Sequence, residues 1–266
     1  MRMKQLPPPQ PLPKAKTRRE IICPVVLTID QEVNSNIMTF LLAMERQVNA
    51  LANARFQFDW HIHTGIKPVQ LARNKAVEGF LAAPGDWLWF IDQDMIPPKN
   101  VLEMLEMPGD MRSGITYRVV DHTLSTCQYV WNKDEAFPKF GGVPWEPGDP
   151  PKIYRIDAAG TGCLMIHRKV LEDPRVQLKR KSDGKTYWFR ESVQEDGESI
   201  LSEDLDFTFR ATRAGYDLLC NTNVPFGHTK KVDLLQCHRL FKQIRDIKAM
   251  QPDALDTENP FKSASV

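Results

Sequence analysis

Several features that would assign a protein to a common class are missing from this chain of 266 residues. It has no secretory signal and no apolar run long enough to span a bilayer, so we expect a soluble, cytoplasmic protein. Its 35 lysine and arginine residues nearly cancel 34 aspartate and glutamate residues. The charge balance therefore does not indicate a general nucleic-acid binder, although a local basic patch is not excluded.

Cysteine pairs that would hold a disulfide framework or a zinc ion are also missing. The five cysteines, an odd number, are widely scattered and form no Cys-x-x-Cys pair: Cys23, Cys127, Cys163, Cys220 and Cys237. This pattern is typical of small buried side chains in a reducing compartment. We therefore predict neither a disulfide nor a cysteine-bound metal.

Hydrophobic residues make up 42% of the chain, which is enough for one substantial core. Residues 1–20 are rich in proline and basic side chains and predict an extended tail. Strand and helix patterns then alternate: a strand over 21–29, a helix over 33–54, a strand over 56–64, a helix over 68–83 and a strand that ends at Asp92. This alternation predicts a largely parallel sheet with helices on its faces.

The rest of the chain has a less regular pattern. It predicts a short helix over 97–107, strands over 111–118 and 125–132, a loop over 133–152, and a helix and tail over 233–266. Residues 174–200 carry many charges around Tyr187, Trp188 and Phe189 and show no steady period. Long loops are often functional, so we predict a mobile lid over a site. The alternative is a surface hairpin whose aromatic rings pack down.

The most informative segment is residues 86–98, where a continuous apolar run ends abruptly in Asp92 and Asp94. A buried strand would deliver both acids to its carboxyl end, which is where open α/β sheets bind ligands. A hard divalent cation that bridges phosphate oxygens needs one or two fixed carboxylates at such a place. The alternative is a plain turn, because Asp and Pro often reverse the chain after a strand.

Four further motifs accompany the Asp-x-Asp segment: Ala72-Arg73-Asn74 within a helix, Gly160-Thr161-Gly162 before a strand, Ser202-Glu203-Asp204 at a helix start, and Gly227-His228. In this order and at roughly these separations they resemble the nucleotide-diphospho-sugar glycosyltransferases of the GT-A fold, in the group that includes family 2 enzymes. The resemblance covers about residues 21–230. It implies an α/β, GT-A (Rossmann-like) fold with a mixed, largely parallel central sheet flanked by helices.

The resemblance divides the domain, residues 21–232, into a nucleotide-binding half over 21–110 and an acceptor-side half over 111–232. It implies donor-binding roles for Thr28, Ile29, Asp30, Arg73, Asn74, Asp92, Gln93, Gly160, Thr161 and Gly162. The first three would lie against the base and ribose, and the guanidinium would approach the base or diphosphate. Asn74 is interpreted as a positioning residue. The alternatives are an exposed helical arginine and a glycine turn without a ligand.

The resemblance also implies a bound Mn²⁺ or Mg²⁺. Asp94 would bind the cation directly, while Asp92 would contact ribose or reach the cation through water. His228 lies where many members of the family supply a third ligand, and a neutral imidazole suits Mn²⁺ better than Mg²⁺. The alternative for His228 is a surface histidine with ordinary partners.

For catalysis, the resemblance implies that Asp204 is the general base and that Glu203 orients the acceptor or hydrogen-bonds to it. A purely structural interpretation is open, because Ser202 is a good helix cap and acids in a first turn complement the helix dipole. Inversion is favoured, although retaining GT-A enzymes share the metal site. No Gln-x-x-Arg-Trp segment follows, which favours a single transfer over a processive synthase.

We therefore expect a metal-dependent glycosyltransferase that moves a sugar from a nucleoside-diphosphate sugar, with a UDP-sugar as the expected donor, to an acceptor hydroxyl of a glycan or small molecule. A nucleotidyltransferase would usually carry a glycine-rich phosphate loop, and residues 28–36 contain no glycine. A non-catalytic sugar-nucleotide or glycan-binding protein is a further alternative. The basic runs 179–181 and 230–231 leave open an acceptor in DNA that bears a hydroxymethylated base.

Overall fold

The computed structural model describes residues 18–28, 35–50, 55–120, 123–132, 139–193, 200–229 and 242. The chain divides into two units, residues 1–228 and residues 229–266. Within the second unit only Thr229 and Lys242 are described, so most of the predicted helix and tail over 233–266 lies outside the described residues, as do residues 1–17 of the predicted extended tail. In the part of the chain that is described, no helix is long and apolar enough to cross a membrane.

The first part of the chain alternates between strands and helices, as the sequence predicts. Its elements are β1 (Glu20–Thr28), α1 (Ser35–Ala50), β2 (Phe56–Phe58), β3 (His61–Thr64), α2 (Val69–Ala82), β4 (Trp87–Asp92), β5 (Met95–Ile96) and α3 (Glu103–Glu106). The single strand predicted over 56–64 is split into β2 and β3. The break lies opposite Pro24 of β1, which has no N–H to give to the ladder.

The second part of the chain consists mostly of short strands. Its elements are β6 (Met111–Ile115), β7 (Tyr117–Val120), β8 (Thr123–Thr126), β9 (Gln128–Asn132), β10 (Lys139–Gly142), β11 (Ile153–Ile156), β12 (Ala158–Ala159), β13 (Cys163–His167), α4 (Arg168–Glu172), β14 (Leu178–Lys179), β15 (Thr186–Tyr187), β16 (Ser192–Val193), β17 (Ile200–Leu201), α5 (Glu203–Arg213), β18 (Leu218–Pro225) and β19 (Gly227–His228). Their hairpins are local additions around one central sheet.

The central sheet has eight strands in the order β11-β18-β6-β13-β4-β1-β2, with β3 also paired to β1. Strands β2, β3 and β4 run parallel to β1, and β18 runs parallel to β6. Strand β13 is antiparallel to β4 and β6, and β11 is antiparallel to β18. The mixed, largely parallel α/β sheet predicted from the sequence is therefore confirmed.

Strand β4 lies at the centre of the core because both faces of the sheet are covered. Its residues Leu88 and Phe90 pack in one buried cluster with α2, and Trp89 and Ile91 pack in another with α1. Alternate side chains point to opposite faces, so a strand buried on both sides has to be apolar throughout. This burial explains the continuous apolar run that precedes Asp92.

The predicted lid over residues 174–200 is wrong for its aromatic residues. Trp188 is 4% exposed and Phe189 is 1% exposed, while Tyr187 is only half-buried in the hairpin of β14 and β15. The ring of Phe189 packs edge-on against Phe90, with ring centres 5.7 Å apart. The rings of Trp188 and Phe189 fill the core, as the alternative interpretation expected, and residues 194–199 lie outside the described part.

Candidate active site

Asp92 is the last residue of β4, at the carboxyl end of the parallel strands. Its backbone N–H donates to the carbonyl of Gly162, 3.2 Å away, and its side chain is 30% exposed. Burial raises the pKa of Asp92, the Arg73 guanidinium opposes that rise, and the negative charges of Asp94 and Asp204 add to it. Several charged groups from different elements therefore converge on this carboxylate.

Asp94 lies beside His228, although the two residues are far apart in the sequence. Strand β5, next to Asp94, pairs with β19, which contains His228. The His228 Nε2 atom is 3.0 Å from Asp94 Oδ2, and its Nδ1 atom is 2.7 Å from the carbonyl oxygen of Tyr117. A carbonyl only accepts hydrogen bonds, so Nδ1 carries the proton. The other ring nitrogen, Nε2, is the one that faces the Asp94 carboxylate.

This arrangement fits a divalent cation. A histidine that binds a metal commonly donates its other N–H to a backbone carbonyl, which fixes the tautomer. Carboxylate oxygen together with neutral imidazole is a donor set that Mn²⁺ accepts well. The ligand atoms of Asp92, Asp94 and His228 do not all lie within 4.8 Å of one another, so the structure does not bring the three predicted ligands together as one group. The indirect role of Asp92 stays a prediction.

Arg73 joins three elements beneath the site. Its side chain is 5% exposed, its Nη1 donates to Glu203 Oε1, and its Nη2 is 3.7 Å from Asp92 Oδ1. The alternative of an exposed helical arginine is therefore wrong. Its Nε has no hydrogen-bond partner among the described residues. Arg73 thus links α2 to β4 and to the start of α5, and its contact with the donor stays a prediction.

Glu203 and Asp204 begin α5 but have different surroundings. Glu203 is buried against Arg73; burial raises the pKa of Glu203, Arg73 opposes the rise, and Asp204 adds to it. Asp204 is more exposed, and its Oδ1 accepts from Ser202 Oγ at 2.5 Å and from the Leu205 N–H at 2.8 Å. The Ser202 hydroxyl donates to Asp204 and makes no cap hydrogen bond to the helix.

The Gly160-Thr161-Gly162 turn separates Asp92 from Asp204. A Cβ at Gly160 would lie 3.5 Å from Asp204 Oδ2, and one at Gly162 would lie 2.5 Å from Met95 Cε and 3.5 Å from Asp92 Oδ2. A side chain at Gly162 would therefore displace Met95. The missing side chains let the turn approach both carboxylates closely, which the sequence predicted only as a close backbone approach to a ligand.

Asn74 serves the core in the structure. Its Oδ1 accepts from the N–H groups of Trp188 and Phe189, at 2.7 and 3.0 Å, and its Nδ2 donates to the Phe189 carbonyl at 2.9 Å. Three of its hydrogen-bonding sites thus hold the segment that carries the buried aromatic rings. This agrees with a positioning residue, while direct donor binding by Asn74 stays a prediction.

A cleft of about 470 Å³ opens where β1 and β4 end and α2 begins. It is lined by Leu27, Thr28, Ile66, Lys67, Pro68, Val69, Ala72, Asp92, Gln93 and Asp94. Its volume lies in the usual range for small-molecule sites. The structure places Thr28 and Gln93 in this lining, and their contact with a donor stays a prediction, whereas Ile29 and Asp30 lie outside the described residues. Sequence reasoning missed Lys67, whose only signal was its place just before the second helix.

Comparison with known proteins leaves the family open, because no family model and no curated protein matches the chain. Among solved structures, A197 from STIV is 18% identical and is matched over 80% of this chain and 87% of that one, with a TM-score of 0.48. GalNAc-T7 with UDP, GalNAc and Mn²⁺ is 13% identical, over 80% of this chain and 44% of that one, at 0.41. CMP:2-keto-3-deoxy-manno-octonic acid synthetase with CTP is 13% identical, over 87% and 99%, at 0.39. With TM-scores below 0.5, these likenesses carry no argument about activity.

Proposed function

We propose that this protein is a metal-dependent glycosyltransferase that uses a nucleoside-diphosphate sugar, with a UDP-sugar as the first donor to test. One observation carries the proposal: a cleft of nucleotide size ends at Asp92 and Asp94, with Asp204 across the glycine turn. The carboxyl end of a parallel sheet is the usual ligand site of such folds.

In this proposal the nucleoside occupies the cleft between Thr28 and Gln93, and the diphosphate lies toward Asp94. Lys67 is the one basic side chain in that lining, and it lies at the start of α2, where backbone N–H groups also favour an anion. Asp94 and His228 would hold Mn²⁺ or Mg²⁺, with Asp92 acting through water or on the ribose. The cation would neutralise charge that develops on the diphosphate leaving group.

Asp204 is proposed to accept the proton of the acceptor hydroxyl as that oxygen attacks the sugar carbon and the bond to the diphosphate breaks. Its Oδ1 is occupied by Ser202 and Leu205, whereas its Oδ2 faces the glycine turn. A protein base on the acceptor side agrees with a single transfer with inversion. Glu203 is committed to Arg73, so we assign it a positioning role in place of the acceptor contact implied by the family resemblance.

Isothermal calorimetry with UDP-sugars, with and without Mn²⁺, tests the proposal. We expect Mn²⁺-dependent binding to the parent protein and at least a tenfold loss of affinity in Asp94→Asn, which is about 1.4 kcal/mol. Glu78→Gln is the matched control, because Glu78 is an exposed carboxylate on α2. Equal Mn²⁺-dependent affinities for Asp94→Asn and the parent protein would contradict the proposal.

A further inference from the structure

A second group of metal-binding side chains lies away from the cleft, on β1 and around the start of β3. The Cys23 thiol, the Asp59 carboxylate and the His61 imidazole each place one ligand atom within 4.8 Å of the others. Among the described residues, this is the one group of three or more such side chains that meets that distance. It shares no residue with the candidate active site.

The three atoms have the chemistry and the spacing of a zinc site. Thiolate, imidazole and carboxylate are the ligands that Zn²⁺ takes, at about 2.0 to 2.3 Å, so tetrahedral neighbours lie about 3.3 to 3.8 Å apart. His61 Nε2 and Asp59 Oδ2 are already 3.4 Å apart. The Cys23 Sγ atom lies within 4.8 Å of both, which is at most about 1 Å beyond the spacing of tetrahedral ligands.

The surroundings of the His61 imidazole leave a place for a cation. Its Nε2 atom is shielded from solvent and has no hydrogen-bond partner among the described residues, although Asp59 Oδ2 is near. A buried polar atom without a partner is costly, and a cation would satisfy it. Burial and the Asp59 charge raise the pKa of Cys23 to about 12, so the free thiol is a poor nucleophile.

The group also lies where the pairing of β1 with its neighbouring strands is interrupted. Cys23 directly precedes Pro24, opposite the gap between β2 and β3; Asp59 lies in that gap and His61 directly follows it. In the β1–β4 register, Cys23 is paired with Leu88 and Leu27 with Asp92, which puts the group roughly 13 Å along the strands from the active site.

We propose that Cys23, Asp59 and His61 form a structural site for Zn²⁺ or a similar borderline cation, which ties β1 to the start of β3. Asp59 and His61 have side chains 51% and 38% exposed, so water completes the coordination on the solvent side. The proposal does not depend on the glycosyltransferase activity.

Cobalt titration of the full-length, chelator-treated protein tests this site without interference from the active site. Only a cysteine ligand gives a thiolate-to-cobalt charge-transfer band, and we expect one equivalent of Co²⁺ to produce it and Zn²⁺ to abolish it. Asp94→Asn, which removes the predicted catalytic ligand, should keep the band. Failure of the proposed transferase function would therefore leave this result unchanged.

Ligand variants identify the residues. Cys23→Ser should lose the band, and the matched control Cys220→Ser, another buried thiol on a strand, should keep it. Asp59→Asn and His61→Gln should each weaken Co²⁺ binding at least about tenfold. Because these two side chains are partly exposed, their variants decide the matter if Cys23→Ser does not fold. No band in the parent protein, loss of the band in Cys220→Ser, or unchanged affinity in both Asp59→Asn and His61→Gln would overturn the proposal.

Discussion

At the amino end of β4, Asp86 accepts a hydrogen bond from the Ile21 N–H and Trp87 donates its indole N–H to Glu20. Arg168, which follows β13 at the same end, donates to the backbone carbonyls that close α2, including those of Phe80 and Gly85. At the carboxyl end of the same strand, carboxylates from β4 and α5 crowd together around a single arginine. At the amino end each of these charged side chains has a hydrogen-bond partner, whereas at the carboxyl end the charges of Asp94 and Asp204 raise the pKa of Asp92.

The two ends of β4 differ in how well their charged groups are satisfied. Burial raises the pKa of both Asp92 and Glu203, which means that their ionised forms are disfavoured in the folded protein. Such groups cluster at sites where a cation, substrate or proton has to be received. The hydrogen bonds at the amino end offset part of the free-energy cost of these buried carboxylates. We therefore expect mutations at the amino end to lower stability and leave activity unchanged, and mutations at the carboxyl end to lower activity.

The largest expected effect is on turnover at the carboxyl end. If Asp204 is the general base, Asp204→Asn should lower kcat about a hundredfold or more with donor affinity preserved, because the proton is removed only as the acceptor attacks. A mere first-turn acid would instead cost about 0.3 to 1 kcal/mol of stability. Steady-state kinetics and calorimetry distinguish the two, with Glu191→Gln as an exposed control. Turnover within a few-fold of the parent protein would favour a retaining mechanism.

The next effect is on stability at the amino end. Arg168→Ala should lower the free energy of unfolding by about 2 to 4 kcal/mol, because it leaves several carbonyls at the end of α2 without their charged donor. Urea denaturation measures the loss, and donor binding by the remaining folded protein should be unchanged. Arg175→Ala, which removes an exposed ion pair with Asp173, is the control and should change stability much less. An equal loss of stability in Arg168→Ala and Arg175→Ala would mean that the hydrogen bonds of Arg168 contribute no more than an exposed ion pair.

The smallest effect is a gain in stability from Asp92→Asn. A carboxyl group whose pKa is raised in the folded state stabilises the fold below its unfolded pKa, about 3.9, and loses that contribution as pH rises through the folded value. In chelator, the thermal midpoint of Asp92→Asn should therefore exceed that of the parent protein at pH 7 and approach it near pH 3. A lower midpoint at pH 7 would mean that attraction to Arg73 outweighs burial.

The features of the fold that depend on a local sequence pattern could be predicted. The apolar run before Asp92 reports a strand covered on both faces, and the alternating elements before it report a parallel sheet. The role of Arg73 could not be predicted, because its partner Glu203 lies 130 residues further along the chain. The burial of Trp188 and Phe189 depends likewise on Asn74 in α2. The proximity of Cys23 to Asp59 and His61 could not be predicted either, because Cys23 lies on β1 and pairing of β1 with β2 and β3 brings the other two side chains to it.

The contact between Asp94 and His228 spans 134 residues of chain. At synthesis rates of about 5 to 20 residues per second, the histidine emerges roughly 7 to 27 s after the aspartate. The strands that line the cleft are therefore made long before the imidazole that faces Asp94. A nascent chain on the ribosome therefore contains the strands of the cleft before it contains the imidazole, so any ligand that needs both Asp94 and His228 cannot bind until β19 is made.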